Sequence, residues 1–198
     1  MSIPTRIAER WAPTFLKKRE LKRLFEIVGS AFGTMVPPTK DLSYRDSLAL
    51  FAEFSAMEAG KVLERDVDVE FIRSQLYKGA FELGESFRRK WRVSGMSEVM
   101  DVGRMLYKFL GIEFIGTPEG SIAITRCLFA NYYSADTCRL ISSLDEGMMA
   151  GLSGGGMLTF SGRITEGFHS CTANVLSKEN GVEKSHRSGH RCWWCNCC

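Results

Sequence analysis

The sequence predicts an α+β protein in which a helical first half packs on a four-stranded, mostly antiparallel sheet carrying one inserted helix. Three observations point there. Apolar residues recur at steps of three and four as far as Leu110. From Ile112 the period shortens to alternation, in brief segments bounded by turn residues. One further helical pattern, Ala135 to about Gly151, lies between two pairs of such segments.

In the first helix, Leu21, Leu24, Phe25, Val28 and Phe32 share a face. The two prolines of "MVPPTKD" stop the pattern, because they lack donors and push Val36 out of the helical region. A second helix runs from about Tyr44 to Arg65, with Leu48, Phe51, Ser55, Met57 and Val62 along it. A third runs from about Val69 to Trp91, its buried stripe being Ile72, Leu76, Ala80, Leu83 and Phe87. "SEVMDVGRMLYKFLG" makes the fourth, capped at Ser97 and closed by Gly111. "IEFIG" and "SIAITRC" are strands around "TPEG"; "MLTFSGRIT" and "CTANVL" are strands around "EGFHS".

A chain of 198 residues, 44% hydrophobic and 25% charged, is long enough for one well-buried core. A net charge of +3 is a weak excess, and the basic runs Lys17–Arg23 and Arg88–Arg92 read as solvated helix faces. Neither nucleic acid nor a membrane surface is expected as a partner. The start shows no secretory pattern and no apolar run approaches the roughly 20 residues of a membrane span, so a cytoplasmic protein is expected. Three of the seven cysteines, Cys127, Cys138 and Cys171, lie in the body, and that odd number suggests thiols rather than a disulfide framework.

On the inserted helix, Cys138, Ile141, Asp145, Met148 and Leu152 share one face, and Arg139, Ser142, Ser143 and Glu146 lie largely off it. Asp145 therefore points inward. A buried carboxylate needs a partner, so Asp145 either holds backbone amides together or serves a ligand or a reaction. By strict alternation Cys127 shares a strand face with Ser121, Ala123 and Thr125, a small-residue face that leaves room for a ligand. The other reading of Cys127 is a small buried hydrophobe. Cys171 opens the last strand. "SGGGML" lacks the lysine of a phosphate loop and reads as a helix-to-strand connection. After about Ser177 periodicity ends, and the tail crowds His186, His190, Cys192, Cys195, Cys197 and Cys198 into thirteen residues with nothing to fold around. An unstructured or non-native end and adventitious metal binding both remain open for it.

The ordered series "TRC", Cys138, "LDEGMMAGL" and "ITEGFHSC" resembles the L-2-amino-thiazoline-4-carboxylic acid hydrolase family over about Val69 to Leu176. Periodicity and its loss mark an N-terminal helical region over 1–67 and an unstructured tail over 177–198, and the resemblance implies a hydrolase-like α+β domain over 68–176. It also implies hydrolytic opening of a small cyclic C–N/C–S compound such as a thiazoline carboxylate, with no cofactor and no metal. Asp145 would be the base, with Cys127 or Cys171 as nucleophile or sulfur-site neighbour. Cys138 and Gly167 would take substrate-binding positions, Arg126 or Arg163 would hold the carboxylate, and His169 is the imidazole available as an acid. The same element order is also similar to vinyl-reductase-like small-molecule sensor domains, which implies a ligand-binding pocket without catalysis, or a homodimer.

Overall fold

The computed structural model describes residues 13–65 and 68–177. The expectations for the start of the chain and for residues 178–198 lie outside them. Four helices come first: α1 (Thr14–Phe32), α2 (Tyr44–Leu63), α3 (Val69–Trp91) and α4 (Met96–Phe109). Each buries the stripe its sequence lays down, most completely in α3, where Ile72, Leu76, Ala80, Leu83 and Phe87 are all buried. Met57 of α2 departs from its expected place and is exposed. The start of α4 also differs. Its cap is Gly95, whose N–H is met at 2.7 Å by the Glu98 carboxylate, so an acid reaching back does what Ser97 was expected to do.

The strands β1 (Ile112–Gly116), β2 (Ser121–Cys127), β3 (Met157–Gly162) and β4 (Cys171–Leu176) form one sheet in the order β1-β2-β4-β3, with every pairing antiparallel. Their inward residues, among them Ile112, Phe114, Ile122, Ile124, Leu158, Ala173 and Val175, are buried beneath the helices. The outward face is exposed and mixed, with Ile115, Met157 and Leu176 beside polar pairs: Ser121 donates to Asn174 Oδ1 at 3.0 Å, and the Ser161 and Thr172 hydroxyls meet at 2.8 Å. The β1–β2 turn depends on Gly120, which sits at φ 98° with the Val175 carbonyl where a Cβ would be.

The inserted helical pattern is two helices, α5 (Ala135–Ile141) and α6 (Ser143–Ser153), with Ser142 between them. Ser134 caps α5, its hydroxyl accepting from the Thr137 N–H at 3.1 Å. At Ser142 the side-chain hydroxyl donates to the Arg139 carbonyl at 3.0 Å, a local bond that competes with the helical ladder. Ser142 and Ser143 are buried, contrary to their expected place off the inward face. The reason is that α6 lies against α3 on one side and the sheet on the other. Gly147, Gly151 and Gly84 permit this contact: a Cβ on Gly147 would overlap the Tyr77 carbonyl oxygen, one on Gly151 that of Phe81, and one on Gly84 that of Met148. One continuous cluster of buried side chains runs from α1 to β4, across the boundary expected at position 67. No helix among the described residues is long and apolar enough to cross a membrane.

Candidate functional site

The sheet carries two irregularities at the same end. Between β1 and β2 the register steps from Phe114↔Ile124 to Glu113↔Arg126, leaving Thr125 as an extra residue. Between β3 and β4 it steps from Phe160↔Ala173 to Gly162↔Thr172, leaving Ser161 extra. The first bulge corrects the sequence reading of β2. Strict alternation puts Cys127 with Ser121, Ala123 and Thr125, whereas the bulge moves Cys127 onto the inward face of Ile122 and Ile124 and leaves Ser121 and Thr125 exposed.

Cys127, at the end of β2, and Cys171, at the start of β4, thereby reach one cavity of about 130 Å³ between the helices and the sheet. Its walls are overwhelmingly apolar and aromatic, with Leu24 from α1, Phe51 from α2, Leu83 and Phe87 from α3, Leu106 from α4 and Ile124 from β2. A chain of ring contacts stiffens one side: Phe25 on Phe51, Phe51 on Phe129, and Phe129 stacked on Tyr133 at 5.5 Å. Cys138, Ile141, Asp145 and Met148, four of the five residues of the expected stripe, also line it.

Polar groups gather at one part of this wall. The Tyr107 hydroxyl donates to Asp145 Oδ1 at 2.7 Å. Burial raises the Asp145 carboxyl to about 6, against the smaller opposing effect of that hydrogen bond. Asp145 keeps some accessible surface even so, and it is the cavity that this surface faces. Tyr107 itself is pushed well up by burial and then by the neighbouring Asp145 charge. The Tyr133 hydroxyl, also raised by burial, meets Ser55 at 2.6 Å.

All three body cysteines are free thiols. Burial pushes Cys127 up to about 12, although the N–H groups of Phe129 and Ala130 point at its sulfur. Burial raises Cys138 and Cys171 as well; the Cys171 sulfur accepts from the Ile164 N–H at 3.3 Å. At neutral pH the three present neutral sulfur, a poor nucleophile. Among the described residues no three His, Cys, Asp or Glu side chains converge as a metal site.

Arg163, on the turn after β3, lines the cavity, stacks over the Phe160 ring at 4.3 Å and donates to Ser142 Oγ at 3.2 Å. Arg126 does not reach the cavity: it is exposed on β2 and pairs across the strands with Glu113 at 3.3 Å. Gly167, at φ 92°, ends the short 3-10 turn Ile164–Glu166 and is exposed, as is His169 in the loop that follows. Neither lines the cavity. The sequence reading left out Tyr107, Tyr133 and Thr165. Tyr107 was within reach of it, because Met100, Gly103 and Tyr107 follow steps of three and four on the buried face of α4. Comparison with protein-family models, with curated proteins and with solved structures finds no match to this chain.

Proposed function

We propose that this chain is a small-molecule-binding domain whose ligand occupies the cavity between the helices and the sheet, with Asp145 as the polar anchor. One observation carries the reading: an apolar cavity of about 130 Å³ has a buried carboxyl at its wall, with one hydrogen-bond donor supplied by the protein. A dry cavity of about 150 Å³ is known to accept a single aromatic ring, so the size suits one ring or a short branched chain. A carboxyl held at about 6 is costly to keep, and a ligand that hydrogen-bonds to it offsets that cost.

A hydrolase acting on a small cyclic C–N/C–S compound is the second reading, favoured by the same carboxyl. A base that titrates near 6 beside a cavity is suited to taking a proton from water at neutral pH. Burial of Cys127 and Cys171 as thiols weighs against their acting as nucleophiles, so in this reading water attacks and Asp145 activates it.

The test is a screen of single-ring compounds, thiazoline carboxylates among them, read by thermal stabilisation and by mass spectrometry of the recovered compound. Saturable stabilisation with the compound unchanged is the expected result, and Cys138→Leu, which fills part of the cavity, should abolish it. Turnover that Asp145→Asn eliminates would replace binding by hydrolysis. A screen without hits, in which Cys138→Leu behaves like wild type, would remove both readings.

A further inference from the structure

Lys17, Glu20, Asp145 and Arg163 are the lysine, arginine and acidic residues that line the cavity. The chain itself meets the charge of three of them. Lys17 Nζ lies over the rings of Phe109 and Tyr44, at 5.3 and 5.9 Å. The Glu20 carboxylate takes Arg19 on one oxygen at 2.6 Å and Arg23 on the other at 3.1 Å. Arg163 pairs with Glu166 Oε1 at 3.7 Å and donates to Ser142 at 3.2 Å. Asp145 is the exception: a neutral hydroxyl, that of Tyr107, reaches Oδ1, and no Lys, Arg or His among the described residues forms an ion pair with it.

The second oxygen of Asp145 is both unmatched and reachable. No donor among the described residues meets Oδ2. The fully buried side-chain atoms without a partner are Trp91 Nε1, Ser143 Oγ, Arg163 Nε and Thr165 Oγ1, and Oδ2 is not among them, so it keeps surface on the cavity that Asp145 lines. Covering a carboxylate costs hydration, and folding has already imposed that cost here. An arriving cation therefore gives up only its own hydration, and it gains a charge-assisted hydrogen bond where a neutral donor gains an ordinary one. Phe51, Phe129 and Tyr133 line the same cavity, and aromatic ring faces attract an ammonium group. An anion would instead meet Asp145, with Glu146 beside it on α6.

We propose that the cavity recognises a primary amine in its ammonium form, carried on a ring-sized apolar body as in benzylamine, with the ammonium donating to Asp145 Oδ2. This rests on the cavity being a ligand site, as proposed above, and adds the charge of the ligand's polar end.

Three probes of similar bulk separate the two claims: benzylamine, benzyl alcohol and toluene, each titrated into the full chain at pH 7.5 and followed by NMR. Benzylamine should bind about tenfold more tightly than benzyl alcohol or better, the margin by which a hydrogen bond to a charged group exceeds a neutral one. Asp145→Asn keeps the volume and removes the charge, and should lower the ratio of benzylamine to toluene affinity about tenfold or more while toluene still binds. Benzyl alcohol binding as tightly as benzylamine, or toluene binding without the amine, would overturn the ammonium head and leave the cavity reading standing. A preference for benzylamine that survives Asp145→Asn would mean that another group holds the amine, and would overturn the proposal equally. Binding of none of the three would sink both claims.

Discussion

A carboxyl covered by helix and sheet loses hydration that one hydroxyl only partly replaces, and this makes Asp145 a cost to the fold as well as an anchor. Below about pH 4 the folded and unfolded chains both hold its proton. Between about 4 and 6 the unfolded chain releases the proton first, from 3.8 against about 6 in the fold, so stability falls as pH rises. The loss is complete above about pH 7 and amounts to something on the order of 3 kcal/mol. Asp145→Asn should remove this slope and raise the melting temperature at pH 7.5 by on the order of 5 °C, while ligand affinity drops tenfold or more. Melting both proteins at pH 4.5 and 7.5 checks this, and equal melting at both pH values in the wild type would refute it. The thiols give a second residue-scale expectation. Peptide-resolved alkylation of Cys127 at pH 7.5 should be at least tenfold slower in the folded chain than in urea, because burial holds it as a thiol.

At the scale of elements, the α3–α6 contact depends on the absence of side chains. Gly147→Ala and Gly151→Ala each place a methyl group against a carbonyl oxygen of α3 and should destabilise by about 1–3 kcal/mol or more. Gly60→Ala is the matched control: it lies within α2, meets nothing within 4 Å, and should stabilise by a few tenths to about 1 kcal/mol. Urea denaturation of the three variants measures both signs. The elements themselves were legible in the sequence, since their boundaries follow from periodicity and punctuation, as Val69–Trp91 shows. What periodicity does not carry is a single-residue departure from it. The break at Ser142 and the bulges at Thr125 and Ser161 arise where elements must fit one another, and no local pattern marks them.

For the molecule as a whole, the buried cluster ties α1 to the last strand, and Leu21 and Leu24 of α1 belong both to that cluster and to the cavity wall. Removal of residues 1–33 should therefore abolish ligand binding and the cooperative melt together; a truncated chain that still melts sharply would show that α3 to β4 stand alone. Much of the candidate site was legible: Asp145, Cys127, Cys138 and Cys171 were chosen from spacing and resemblance, and all four line one cavity. Arg126 and His169 were not separable from Arg163 in the same way, because one chain read as a line does not say which turn folds back over which helix. Arg163 comes inward because β3 ends at its own bulge and the following turn carries it over Ser142.

The extra residue at Thr125 sets two phases along a single strand. Up to Ile124, even-numbered positions look at the core; past the extra Thr125, it is the odd-numbered Cys127 that does. Deletion of Thr125 would restore plain alternation and keep Cys127 opposite Ile112, facing inward, whereas ironing out the bulge with Thr125 retained would turn the thiol toward solvent and the arginine beside it toward the apolar wall. The chemistry offered to a ligand is thus set partly by where the ladder absorbs one residue rather than by which residues are present.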